Sequence, residues 1–316
     1  MELNLPVLSQ LSVCQNLLIA GMGGGFDVFC GLPIYFELTK RGQKVHLANF
    51  SFSDIASLRG GVRLSGDLVG VVAEQTDLAP YFPEKYLSQW FKKKQQSDVT
   101  VWSFQKSGVR PLLKNYRLLA DYLSIDGILL IDGGVDSLMR GDESGMGTVI
   151  EDATSLCVVN ELTNIRTRIL ATVALGAEQD VAYNQVFENI ASLTQAGAFL
   201  GACALTPQME SYQAFEDAVL YVQDSPWQDA SVINSSLISA VRGHFGDYHL
   251  TAKTKGSRLW ISPLMALYWF FDLPVVARHN LFLLRLKETD TFIDGLHQLM
   301  AFSSGIAKRK SPSISL

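Results

Sequence analysis

Six carboxylates, Asp132, Asp136, Asp142, Glu143, Glu151 and Asp152, crowd one short segment of this chain, interleaved with Gly133, Gly134, Gly141, Gly145 and Gly147. Carboxylates this close repel one another unless a cation, a basic ligand or a hydrogen-bond network offsets the charge. Hard oxygen donors suit magnesium or calcium better than zinc. Asp132, Asp136, Asp142 and Glu143 are therefore candidate ligands for Mg2+ or another divalent cation. Asp132 and Asp136 are also candidate acid and base groups in catalysis. Glu151 and Asp152 have a plainer explanation, because they open an apolar segment of helical character, where the helix dipole favours carboxylates.

A second glycine segment, Gly21-Met22-Gly23-Gly24-Gly25-Phe26-Asp27, follows the apolar run Leu17-Leu18-Ile19-Ala20. Glycines let backbone N–H groups approach a ligand, and a helix N-terminus adds partial positive charge, so a phosphate or carboxylate is the natural guest. Gly23, Gly24, Gly25, Asp27, Asn49, Gly133, Gly134 and Ser137 are the residues expected to bind such a small anionic molecule. The spacing is neither a dinucleotide fingerprint nor a phosphate-binding P-loop, so no nicotinamide or flavin cofactor is implied. The plain alternative is a tight strand-to-helix turn.

Arg242-Gly243-His244-Phe245-Gly246-Asp247-Tyr248-His249 is a third chemically rich segment. His244 is the candidate acid–base histidine, although a histidine beside glycine is often only a surface loop residue. Ser137 follows Asp136 directly, but no histidine stands at a spacing that marks it as a base, and no G-x-S-x-G elbow is present.

These groups need elements to hold them. Ile128 to Ile131 is an apolar run ending in Asp132, as a buried parallel strand ends at its carboxyl edge. Strands are expected near 16–22, 44–49, 68–73, 99–104, 127–132 and 165–175. Helices are expected near 26–41, 84–94, 109–123, 149–159, 183–195, 208–222 and 230–241. This alternation predicts an α/β fold, a doubly wound, mostly parallel sheet of the Rossmann type. Ligands of such sheets bind at the carboxyl ends of strands. The C-terminal helices after Gln208 are expected on or over the crevice. Further on, a strand at 258–261, an aromatic helix after Pro263, a strand at 281–286 and a closing helix at 291–302 are expected. The chain reads as a single domain over 1–306, with a disordered tail over 307–316.

Three stretches together resemble the domain-of-unknown-function 1152 family, found mainly in archaea and bacteria. They are Gly23-Gly24-Gly25-Phe26-Asp27-Val28, Asp132-Gly133-Gly134-Val135-Asp136-Ser137 with Gly141-Asp142-Glu143, and Thr148 to Asp152. The likeness covers most of the chain and implies an α/β fold without naming a reaction. The family pattern prefers glycine where Val135 stands, and a small residue and proline where Thr148-Val149 stand. A fainter likeness, on one motif, is to D-glutamate cyclase and its relatives.

Composition sets the outer bounds. The chain has 316 residues, is 48% hydrophobic and carries a net charge of −5, so no basic field exists for nucleic acid. The longest apolar block, Leu259 to Phe271, is interrupted by Ser262-Pro263 and is too short to cross a membrane. Its aromatic residues read as core or as a contact in a homo-oligomer. Four cysteines without C-x-x-C spacing read as buried free thiols, which with no evident signal peptide points to the cytoplasm. The expected function is an enzyme acting on a small anionic metabolite by hydrolysis, transfer or elimination, assisted by a divalent metal. The competing reading is a non-catalytic ligand-binding or assembly protein.

Overall fold

A computed structural model describes residues 5–77 and 79–310. Nine strands, β1 (Asn16–Gly21), β2 (Lys44–Ser51), β3 (Val62–Ser65), β4 (Leu68–Val71), β5 (Val101–Gln105), β6 (Gly127–Asp132), β7 (Thr167–Thr172), β8 (Phe199–Ala204) and β9 (Leu267–Asp272), form one sheet. Their order is β3-β4-β5-β2-β1-β6-β7-β9-β8. The five central strands, β5-β2-β1-β6-β7, are parallel. The hairpin β3–β4 joins antiparallel at β5, and β9 and β8 join antiparallel beyond β7. The sheet is therefore mixed around a parallel core, a correction to the mostly parallel sheet expected.

The parallel core is apolar on both faces because helices cover both. Alternate residues divide cleanly. Leu18, Phe50, Ile128 and Leu130 pack with Leu112, Leu119 and Leu156 of helices Val109–Leu123 and Ile150–Asn160. Leu17, Ile19, Leu129 and Ile131 pack on the other side with Leu32, Leu38, Phe215 and Leu237. Strands are added outward from β1 through β2 to β5, and the chain then returns to the other side of β1 for β6 and β7. The loops leaving β1 and β6 diverge at that reversal, which opens a crevice at the carboxyl ends of these two strands.

Four local expectations are corrected. The helix expected over 26–41 breaks at Gly31 into Asp27–Cys30 and Leu32–Lys40, with Pro33 in the first turn of the second. Gly31 sits so close to β1 that a Cβ there would lie 2.5 Å from Ile19 Cγ2. The aromatic segment Leu267–Asp272 is a strand, not a helix; a short run that is apolar all round does not reveal its period. Phe271 joins one core and Phe270 the other, as a strand buried on both faces requires. Arg258 to Ile261 contributes only a single bridge, Ile261 to Gly246. Leu283–Leu286 is a helical turn rather than a strand, because Asn280 Oδ1 accepts the N–H groups of Phe282 and Leu283.

Cys14, Cys30 and Cys157 are buried thiols, whereas Cys203 is exposed on the edge strand β8. Among the described residues, no helix is long and apolar enough to cross a membrane. Of the segment expected to be disordered, residues 307–310 are described and 311–316 lie outside the described residues. Arg309 is docked: its guanidinium lies 3.1 Å from Glu143 Oε1 and 2.8 Å from Asn189 Oδ1.

Candidate functional site

The turn after β1 bends through Gly24 (φ +93°) and Gly25 (φ +57°), a left-handed path that glycine takes without strain. It returns Asp27 towards the sheet, and Asp27 Oδ2 accepts the N–H of Gly23 at 2.6 Å. A Cβ on Gly23 would lie 2.7 Å from that oxygen, and one on Gly133 would lie 2.6 Å from Asp27 Oδ1. Two glycines from two different loops thus form the slot for one carboxylate. The pattern repeats: a Cβ on Gly147 would lie 2.8 Å from Asp136 Oδ2, and one on Gly134 would lie 2.8 Å from Glu178 Oε2. These glycines make room for carboxylates. The Gly23 N–H is already engaged, the Phe52 ring packs over Gly24, and the following helix is a single turn. The geometry therefore gives no support to the anion cradle expected at Gly23, Gly24 and Gly25.

Asp132 closes β6 and is buried; its Oδ2 accepts the N–H of Ser137 at 3.2 Å and also the Ser137 hydroxyl. Ser137 is thereby an orienting partner of Asp132. Asp136 Oδ2 accepts the Thr148 N–H at 2.9 Å. Asp152 projects from the first turn of Ile150–Asn160, a helix fastened to the glycine turn where the Ser155 hydroxyl donates to the Met22 carbonyl at 2.9 Å. Asp152 is 3% exposed, and its Oδ1 has no hydrogen-bond partner among the described residues. One carboxylate oxygen each from Asp27, Asp132 and Asp152 lie within 4.8 Å of one another. Two oxygens on one ion are at most twice the metal–oxygen distance apart, about 4.2 Å for magnesium and ~5 Å for calcium. The triad is thus on the scale of a divalent-cation shell.

Burial and mutual repulsion raise the proton affinity of the whole cluster. Burial pushes Asp27 up to about 7, with the Asp136 charge adding to it against the Gly23 hydrogen bond. Burial and then the Asp27 charge push Asp132 up to about 7. Asp136, Asp152 and Glu178 are raised well above the carboxylate range, first by burial and then by their acidic neighbours. One cation meets the group: Lys106 Nζ lies 2.7 Å from Glu151 Oε1.

Of the residues expected from sequence, Asp27, Asp132, Asp136, Gly23, Gly133, Gly134 and Ser137 come together here. Asn49 clamps the turn instead, with its side-chain amide donating to the Gly25 carbonyl at 2.9 Å and to Glu84 Oε1 at 2.8 Å. Asp142 and Glu143 are not brought to the triad. Glu143 accepts the N–H groups of Arg140 and Gly141 and the side-chain amide of Asn189, and pairs with Arg309. Burial alone would raise its pKa, but those hydrogen bonds outweigh burial and lower it. Asp142 lies 3.5 Å from Arg309. His244 is stacked on Tyr248, beyond the C-terminal end of Val232–Val241. Asn234, at the opposite end of that helix, is the residue that reaches Phe26 and Cys30. His244 thus follows the far end of a helix about 15 Å long.

Four residues of the site were given no part in it by sequence reasoning. Asp152 had a sufficient explanation in the helix dipole, yet no cap bond uses it. Glu178 lies in the loop beyond β7, directly after Gly176-Ala177. Thr172, opposite Asp132 on β7, is buried with its hydroxyl unpartnered among the described residues. Lys106 carried a detectable signal, a lone basic residue just past the end of β5.

The family described as "Protein of unknown function (DUF1152)" matches residues 18–303. No curated protein and no solved structure matches the chain, so the likeness to D-glutamate cyclase gains no support. The chain belongs to the DUF1152 family.

Proposed function

We propose that this DUF1152 member is a divalent-cation-dependent enzyme acting on a small anionic metabolite, one bearing a phosphate or carboxylate group. The single observation that carries this reading is the convergence of Asp27, Asp132 and Asp152, with a buried oxygen of Asp152 unpartnered. A buried carboxylate without a hydrogen bond is costly, and a cation relieves the cost for the whole group at once. The three ligands come from three elements that meet where the strand order reverses, the position at which a doubly wound, Rossmann-like sheet binds its ligand.

A bound magnesium or manganese ion supplies Lewis acidity to a phosphoryl or carboxyl oxygen and lowers the pKa of a bound water. The residues do the rest. Asp136 and Glu178, whose carboxyls burial pushes well above the usual range, would give a proton to a leaving oxygen. Asp27 and Asp132, near 7 before a cation arrives, would release their protons on binding it. Hydrolysis, transfer and elimination all draw on this set. A cluster of displaced pKa values favours a reacting site over an architectural one.

Calorimetric titration of metal-stripped protein with Mn2+ tests the reading. Wild type is expected to bind one ion, Asp152→Asn to bind it at least about tenfold more weakly, and Asp142→Asn to match wild type. Equal binding by wild type and Asp152→Asn would make the carboxylates architectural and the protein a binding or assembly module.

A further inference from the structure

We infer that Lys106 is the residue that anchors the oxyanion of the substrate; this rests on the cation-dependent reading above. If an anionic metabolite meets a cation here, something besides the cation must hold its charge. The glycine turn does not: the Gly23 N–H serves Asp27, and Phe52 lies over Gly24. The other charged groups described at the cluster are carboxylates. Lys106 directly follows the carboxyl end of β5, on the same sheet edge as Asp132. Its ammonium is 2.7 Å from Glu151, the neighbour of Asp152 on helix Ile150–Asn160. It also lies 3.7 Å from the centroid of the Phe292 ring and 4.9 Å from that of Phe52.

This is a particular arrangement of a lysine. The two rings hold the stem and head by cation–π contact, so the ammonium is aimed before any ligand arrives. The side chain is 31% exposed and Phe52 is 48% exposed, so the head is reachable from solvent, whereas Glu151 is 9% exposed. Lysine has three donors and no acceptor, and the contact with Glu151 leaves donors for an incoming oxyanion. Asp27, Asp132 and Asp152 would hold the cation, and Lys106 would compensate the charge of a phosphate or carboxylate that the carboxylates alone would repel.

The experiment separates the two claims. Wild type and Lys106→Gln are titrated with Mn2+, and the Mn2+-loaded proteins then with inorganic phosphate and, separately, with acetate. Lys106→Gln is expected to keep Mn2+ binding and to lose oxyanion affinity about ten- to hundredfold, the worth of one charge-assisted hydrogen bond. Which anion shows the loss names the group the site takes. Oxyanion binding unchanged in Lys106→Gln, or absent from Mn2+-loaded wild type, overturns the role of Lys106. Failure of wild type to bind Mn2+ instead overturns the cation-dependent reading, and this inference with it. Should Lys106→Gln not fold, Lys106→Met keeps the apolar stem between the rings and carries the same outcomes.

Discussion

Asp152 carries the site at the scale of single residues. Three per cent exposed and with one oxygen unpartnered, it is held by its helix in a place that suits a cation better than it suits the folded chain alone. Replacing it with asparagine removes a carboxyl whose ionisation burial and its acidic neighbours disfavour. Asp152→Asn is therefore expected to hold the stability of the cation-free protein or raise it by up to about 1 kcal/mol, while Mn2+ binding falls. Denaturant unfolding without metal measures this, and a loss well beyond 1 kcal/mol would mark Asp152 as structural. The pH dependence has a definite sign. Asp27 and Asp132 sit near 7 in the folded state, above the unfolded value of roughly 3.9. Between these values the native state binds more protons than the unfolded chain, so stability falls as pH rises from about 4 to about 7. Melting of metal-free protein is expected to show that decline, and the double variant Asp27→Asn with Asp132→Asn to flatten it. Identical pH slopes in the two proteins would contradict the displaced pKa values.

Loops and glycines act at the scale of elements. Gly133 leaves the end of β6 and meets Asp27 from the loop after β1, so the two loops are fitted through one carboxylate. Gly133→Ala puts a Cβ 2.6 Å from Asp27 Oδ1 and 3.3 Å from Cys30 Sγ, with Asp27 fixed on its other side by Gly23. Overpacking of this kind costs about 1–3 kcal/mol, and the displaced Asp27 is expected to weaken Mn2+ binding as well. Chemical unfolding and calorimetry on this variant check both, and normal metal affinity would separate the slot from the site. Helices Val109–Leu123 and Tyr183–Gln195 and strand β6 were legible from sequence with their ends, because their periodicity and flanking breakers agree. Strand β9 was not, since a run of aromatics buried on both faces has no period to read. Asp27 and Asp132 could be picked out by the glycines around them, and Gly23 and Gly133 lie against the Asp27 carboxylate. Asp142 and Glu143 belong to the same run of sequence but turn to Arg140 and Arg309, a partition that depends on contacts more than a hundred residues away along the chain. His244 was a candidate by composition alone, and its stacking partner is Tyr248.

At the scale of the whole molecule, two acidic groups stand in different surroundings. Glu143 is compensated within the chain, because Arg309 closes over it and the Gln185 side-chain amide donates to the Arg309 carbonyl at 3.0 Å. Arg309→Ala is expected to cost about 2 kcal/mol, below the full price of breaking a buried pair because Asn189 and two backbone N–H groups still serve Glu143. It should leave Mn2+ affinity unchanged, and a calorimetric titration in which affinity fell would tie the C-terminal segment to the site. Among the described residues, no basic side chain pairs with Asp27, Asp132 or Asp152. A cation that binds only the folded state would stabilise the molecule by about 2.7 kcal/mol at a hundredfold excess over its dissociation constant. The most direct measurement is a crystal grown with Mn2+ and measured at a wavelength where manganese scatters anomalously. The account predicts one anomalous peak, bound by oxygens of Asp27, Asp132 and Asp152. No peak there at saturating Mn2+, with those three carboxylates arranged as in the metal-free protein, would contradict it.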